Sequence, residues 1–240
     1  MRTAINPDDR LDLYPVGTVV HGRVQALQQG YLRDDAAAVA DLARLRKGAG
    51  KTPGNVPGLW GLTYRPDNDF EQFERAPTGE KEEQRAELAI HVALTLFALH
   101  QQSHRENWMH QASPRDGNRR TANRDLGWAV RRLMPADDVD ERLRQRFVHL
   151  CTATTSTSLA VRLRGIVQLL RRAAVPLDYG LLADQLMQFH RPGGPTRIRR
   201  VWGRSFVTYR SPDSPDSAPG GTPDSEGTNT NTNDTANTAK

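Results

Sequence analysis

The amino-acid sequence predicts an all-α protein, and three observations carry that expectation. Apolar residues recur at spacings of three and four in one segment after another, no alternation of apolar and polar residues persists beyond a few positions, and Gly- and Pro-rich stretches separate the periodic segments. The pattern divides the 240 residues into an irregular lead over 1–16, an N-terminal helical bundle over 17–112, a basic C-terminal bundle over 118–210 and a disordered tail over 211–240.

The lead mixes Pro, Asp and Arg without a period. Helical spacing begins at Thr18, read as an N-cap, with Val20, Val24 and Leu27 on one face and Gly30 as a stop. A second helix opens at Asp34 or Asp35 and buries Val39, Leu42 and Leu45; Arg44, Arg46 and Lys47 crowd its last turn, where the helix dipole favours cations in any protein. The segment GAGKTPGNVPGLWGL is a loop whose Val56, Leu59, Trp60 and Leu62 dock it onto a core. Its GKT triplet is not a phosphate loop, because Leu45 stands where the motif needs glycine, the preceding segment is helical, and Pro53 occupies the start of the helix that should follow. Phe70 and Phe73 anchor the polar stretch beyond it. The next helix, GEKEEQRAELAIHVALTLFALHQQS, has an acidic first turn and is apolar nearly all round, which predicts the central strut of a bundle. His100, His104 and His110 superficially suggest a zinc site, but Gln101 replaces the glutamate such a motif needs, and the spacing reads as surface histidines near a helix end.

Residues 111–122 read as a linker and domain boundary. Beyond it Asn123 caps a helix with Leu126, Ala129, Val130 and Leu133 inward and Arg124, Arg131 and Arg132 outward. The following helix buries Val139, Leu143, Phe147 and Leu150 and carries Arg142, Arg144 and Arg146. A third buries Leu159, Leu163, Ile166, Val167 and Leu170, with Arg164 and Arg171 on one flank. Pro176 breaks the chain, Asp178 caps a helix with Tyr179, Leu182, Leu186 and Phe189 inside, and RPGGP ends it. The last helix starts from Thr196 with Ile198, Val201, Trp202 and Phe206 inside and Arg197, Arg199, Arg200 and Arg204 outside. From Ser211 onward no branched aliphatic or aromatic residue occurs, so the tail lacks the apolar surface needed to order itself.

Charge is unevenly distributed over this scaffold. Residues 1–118 carry 14 basic and 16 acidic side chains, residues 119–210 carry 18 and 7, and the tail carries 1 and 5. The net +11 of the middle segment is supplied by arginines, whose planar donor fork suits phosphate, and a field concentrated in this way steers polyanions. Only four of the 33 basic residues are lysines, so a compositional bias towards Arg is the competing explanation. The single cysteine excludes an internal disulfide, and the absence of an apolar leader or a long apolar run points to a soluble cytoplasmic protein. Catalytic readings are weak: His149 and Cys151 point about 200° apart on one helix, and Asp137, Asp138, Asp140 and Glu141 sit where capping explains them. A stand-alone helix-turn-helix DNA-binding regulator is the alternative binding class, but its candidate recognition helix, Asp178 to His190, starts acidic and is almost devoid of basic residues.

The segments FALHQQS, RDLGWAVRRL, RQRFVHLCTA, LRGIVQLLR, VPLDYGLLADQL and VWGRSF, in this order, resemble the CasB family, the small subunits of the type I-E CRISPR Cascade surveillance complex; the resemblance spans about residues 18–210. It implies a noncatalytic, all-helical subunit without cofactor or metal, present beside a second copy of itself and other Cascade subunits. It also implies sequence-independent backbone contacts to guide RNA, target DNA and the displaced single-stranded DNA. Family basic positions correspond to Arg44, Arg46 and Lys47, to Arg142, Arg144 and Arg146, and to Arg162 and Arg164; Arg119, Arg120 and Arg171 join them on charge alone.

Overall fold

The computed structural model describes residues 14–71, 73, 76–116, 119–120, 124–135 and 137–209. Residues 1–13 of the lead expected over 1–16, the Asn123 cap and the tail lie outside the described residues, while Pro15 and Val16 already belong to a helix. Nine α-helices occur among the described residues, and the only strands there are two residues long, so the fold is all-α.

Helix α1 spans Pro15–Leu32, three residues earlier than Thr18 suggested, because its N-terminus is capped from afar. The Asp184 carboxylate accepts from the backbone N–H of Tyr14 at 2.8 Å and of Gly17 at 2.7 Å. Gly30 does not stop the helix; it lies where Ala38 crosses so closely that an added Cβ would be 2.6 Å from the Ala38 Cβ. Asp35 caps α2 (Ala36–Leu45), accepting from Ala38 N–H at 2.9 Å. A 3-10 turn, Arg46–Gly48, continues it.

The Gly- and Pro-rich loop holds two further 3-10 turns, Pro53–Asn55 and Pro57–Leu59. Leu59 is buried and Val56 and Leu62 are half-buried, but Trp60 is 63% exposed rather than docked, with its indole Nε1–H donating across the loop to Pro53 O at 3.3 Å. The short α3 (Pro66–Asp69) leads to Phe70, which is buried against Tyr64 and Phe73 as the anchor expected there. Arg23 ties this segment to α1 through Thr63 O at 2.8 Å, Leu62 O and the Asp69 carboxylate at 3.3 Å.

Helix α4 (Glu80–Gln101) is the central strut, buried continuously from Ala89 to Gln101. The expected surface histidines are corrected here: His100 and His110 are buried. His100 Nδ1 lies 2.9 Å from the Tyr179 hydroxyl, while His110 Nε2 lies 2.9 Å from His21 Nδ1 and His110 Nδ1 accepts from Tyr179 N–H at 3.1 Å. The 111–122 segment contains a two-residue antiparallel ladder, β1 (Arg115–Asp116) with β2 (Arg119–Arg120).

Asp125 caps the six-residue α5 (Leu126–Arg131) through Trp128 N–H at 3.0 Å. Arg131, expected outside, is buried, with Nη1 donating to Pro135 O at 2.6 Å and its guanidinium 5.8 Å from the Tyr209 ring. Helix α6 (Glu141–Cys151) is capped by Asp140, which leaves Val139 before the helix and exposed, not in the apolar stripe. Helix α7 (Ser156–Arg172) opens with a Thr155–Ser158 capping box and buries the five residues its periodicity named. Asp178 caps α8 (Tyr179–Phe189) and also accepts from the Ser113 N–H and hydroxyl. Helix α9 (Gly194–Val207) starts two residues before Thr196, from Gly193 in the left-handed region.

Helix α8 packs on α1 and α4, α7 packs on α4, and α5 packs on α9. The described residues up to Tyr209 form one compact unit, and their buried apolar side chains make one cluster. Among the described residues no helix is long and apolar enough to cross a membrane.

Candidate nucleic-acid interface

Two groups of cations widely separated in sequence are brought together. At the end of α2, Arg44 and Lys47 are exposed and Arg46 is half-buried; Arg44 pairs with Asp41 at 3.4 Å. The chain then presses onto α4 at Gly48, where an added Cβ would meet Leu59 Cδ1 at 2.6 Å and Thr95 Cγ2 at 2.7 Å. Gly50 follows with φ of 81°, a conformation that suits glycine. The stem of Arg164 from α7 lies against it, with Cδ 2.8 Å from the position a Cβ would take. Arg164 is exposed, so its head stands beside the Lys47–Lys51 turn. Lys51 is exposed in the same turn and adds a cation beyond those the sequence pattern singles out, since it sits in the GKT triplet rather than on a helix.

Helix α6 presents a further set of cations. Arg142 and Arg146, one turn apart, are exposed and share a face. Arg144 is exposed on another side, where its Nε and Nη2 donate to the two Glu141 carboxylate oxygens at 2.6 and 2.7 Å. That pairing lowers the Glu141 pKa and raises that of Arg144. An exposed pair of this kind contributes little stability, but it occupies the fork that a phosphate would use.

The remaining candidates are engaged in holding elements together. Arg162 is half-buried, and its Nη1 donates to His149 O and the Thr152 hydroxyl, covering the C-terminus of α6. Arg171 is half-buried, donating from Nε to Gln102 O at 3.0 Å and from Nη2 to the Ser103 hydroxyl at 3.3 Å. The backbones of Arg119 and Arg120 form β2, and their side chains lie outside the described residues. Arg199, which periodicity puts outside, is half-buried, donating from Nη2 to Ala153 O at 3.2 Å.

The competing chemistries find no support in the geometry. Burial pushes the Cys151 thiol up to about 11, so it is a neutral thiol rather than an activated nucleophile at neutral pH. His100 and His110 both contact Tyr179, His104 contacts Arg171 O, and among the described residues no cluster of three or more His, Cys, Asp or Glu side chains is placed to hold a metal ion. Helix α8, the candidate recognition helix, is buried from Tyr179 to Met187 and offers no free face to a groove.

Comparison with known proteins adds three findings. The family model described as CRISPR-associated protein Cse2 matches residues 41–206. The crystal structure of CasB from Thermobifida fusca is similar, with 50% sequence identity, a TM-score of 0.69, and coverage of 81% of this chain and 99% of that chain. No curated protein matches.

Proposed function

The chain belongs to the CRISPR-associated protein Cse2 family, components of the type I-E Cascade complex, and we propose that it serves there as a noncatalytic nucleic-acid-binding small subunit. In this reading it steadies the paired guide RNA and target DNA and holds the displaced strand through contacts to phosphates, beside a second copy of itself. Base pairing by the guide already reads sequence, so backbone contacts supply affinity alone. The observation that carries the proposal is the net +11 over residues 119–210, with Arg142, Arg146 and Arg164 exposed on a family fold.

The structure sharpens which cations to test. Arg142, Arg146, Arg164 and Lys47 are exposed, whereas Arg144, Arg162 and Arg171 have donors engaged within the chain. Reversing Arg142 and Arg146 to Glu is expected to weaken binding of single-stranded DNA and to lower the log-log salt slope by roughly 0.7 for each phosphate that is no longer neutralised. Fluorescence anisotropy across a salt series measures both quantities. Unchanged affinity and slope would remove α6 from the interface.

A further inference from the structure

An exposed indole forgoes a large apolar contact, because a tryptophan side chain buries about 150–250 Å² when packed. Trp60 is 63% exposed, yet it is not loosely held. Its Nε1–H donates to Pro53 O at 3.3 Å, and the two 3-10 turns before it each begin with a proline that sets φ. Leu59, immediately before it, is buried against Gly48. The ring is thus presented on a stiff loop and would lose little conformational freedom on binding.

The turn against which its loop packs is cationic. Leu59 packs on Gly48, which brings the loop that carries Trp60 against the Arg46–Gly48 turn and its exposed Lys47. Lys51 N–H donates to Gly48 O at 2.9 Å, keeping exposed Lys51 in the same turn, and Arg164 lies against Gly50 between them. Trp108, also exposed, differs: its cleft is lined by Glu106 and the amides of Gln25, Asn107 and Gln111, with no Lys or Arg among the lining residues. Of these two indoles, Trp60 is the one whose loop packs on a turn that carries cations, and single strands are bound where bases can stack while phosphates are held electrostatically.

We propose that Trp60 stacks on one unpaired nucleobase of a single strand whose phosphates are gripped by Lys47, Lys51 and Arg164. This rests on the phosphate-contact reading above and adds to it a base contact that tolerates any sequence, since every base has a π-face.

The test compares a dye-labelled oligothymidine with an abasic strand of equal length, both titrated with the full chain. Trp60→Ala is expected to weaken oligothymidine binding about 5- to 100-fold while changing abasic-strand binding by less than about twofold. Trp60→Phe retains most of the affinity, and the quenching of tryptophan fluorescence by oligothymidine seen in the wild type is diminished in it. Equal weakening towards both strands would mean that Trp60 supports the loop rather than a base, and would overturn the proposal. If the wild type binds both strands and Trp60→Ala alters neither, stacking fails while the phosphate track stands. If the wild type binds neither strand, both readings fall.

Discussion

Asp125 is the residue whose titration most directly tests the packing of α5 on α9. Its side chain is 1% exposed, with Oδ1 accepting from Trp128 N–H at 3.0 Å and Oδ2 from the Ser205 hydroxyl at 2.7 Å. Desolvation outweighs these bonds and pushes the pKa from the ordinary 3.8 up to about 7. The folded state therefore holds a proton that the unfolded chain has released. The resulting stability is fully present below pH 3.8 and is lost as pH rises to about 7. Between about pH 5 and 7 the loss is about 2–3 kcal/mol, at about 1.4 kcal/mol per unit. Asp125→Asn keeps the helix cap and removes the titration. Buried His91, His100 and His110, depressed by desolvation to about 4, 3 and 4, act in the opposite direction, their stability being lost as pH falls through 6.5. They are common to both proteins and cancel in the difference. Urea unfolding of both proteins at unit steps from about pH 5 to 8 should show the wild type losing stability relative to the variant up to about pH 7 and holding level above it. A difference independent of pH would refute the assignment of a buried, proton-binding carboxyl.

Two further substitutions probe the core. Gly127→Ala would place a Cβ 1.9 Å from Trp202 O and 2.7 Å from its carbonyl carbon, so α5 and α9 must separate; a loss of about 1–3 kcal/mol is expected in thermal unfolding, despite the better helix propensity of alanine. Gly165→Ala on α7, where nothing lies within 4 Å, is the control and should stabilise by about 0.5–1 kcal/mol; equal effects at the two sites would contradict the packing. Tyr179→Phe removes the hydroxyl 2.9 Å from His100 Nδ1 and is expected to cost about 1–3 kcal/mol in urea unfolding, and a neutral result would mean that His100 finds another partner.

Much of this molecule is written in short-range pattern. Asp35, Asp140 and Asp178 cap the helices that follow them, the apolar stripe of α7 is buried as its spacing predicts, and α4 is the central strut its all-round hydrophobicity implied. These features rest on contacts within about one helical turn, which a linear sequence displays. The ordered motifs from FALHQQS to VWGRSF likewise sufficed for the family resemblance.

What the pattern could not decide depends on partners far along the chain. Asp184 caps α1 from 167 residues away, His100 meets a hydroxyl 79 residues on, and Arg164 reaches Gly50 from another helix, so a cap, two buried histidines and the neighbourhood of the basic turn all escaped periodicity. The same holds for the cations. Sequence identified them as a class, but only the packed chain separates Arg162 and Arg171, engaged with backbone carbonyls, from exposed Arg142, Arg146 and Lys47. Helical period says which way a side chain points from its own axis. Whether it meets solvent or a carbonyl of another helix is settled when the helices pack, because burial without a partner costs too much to persist.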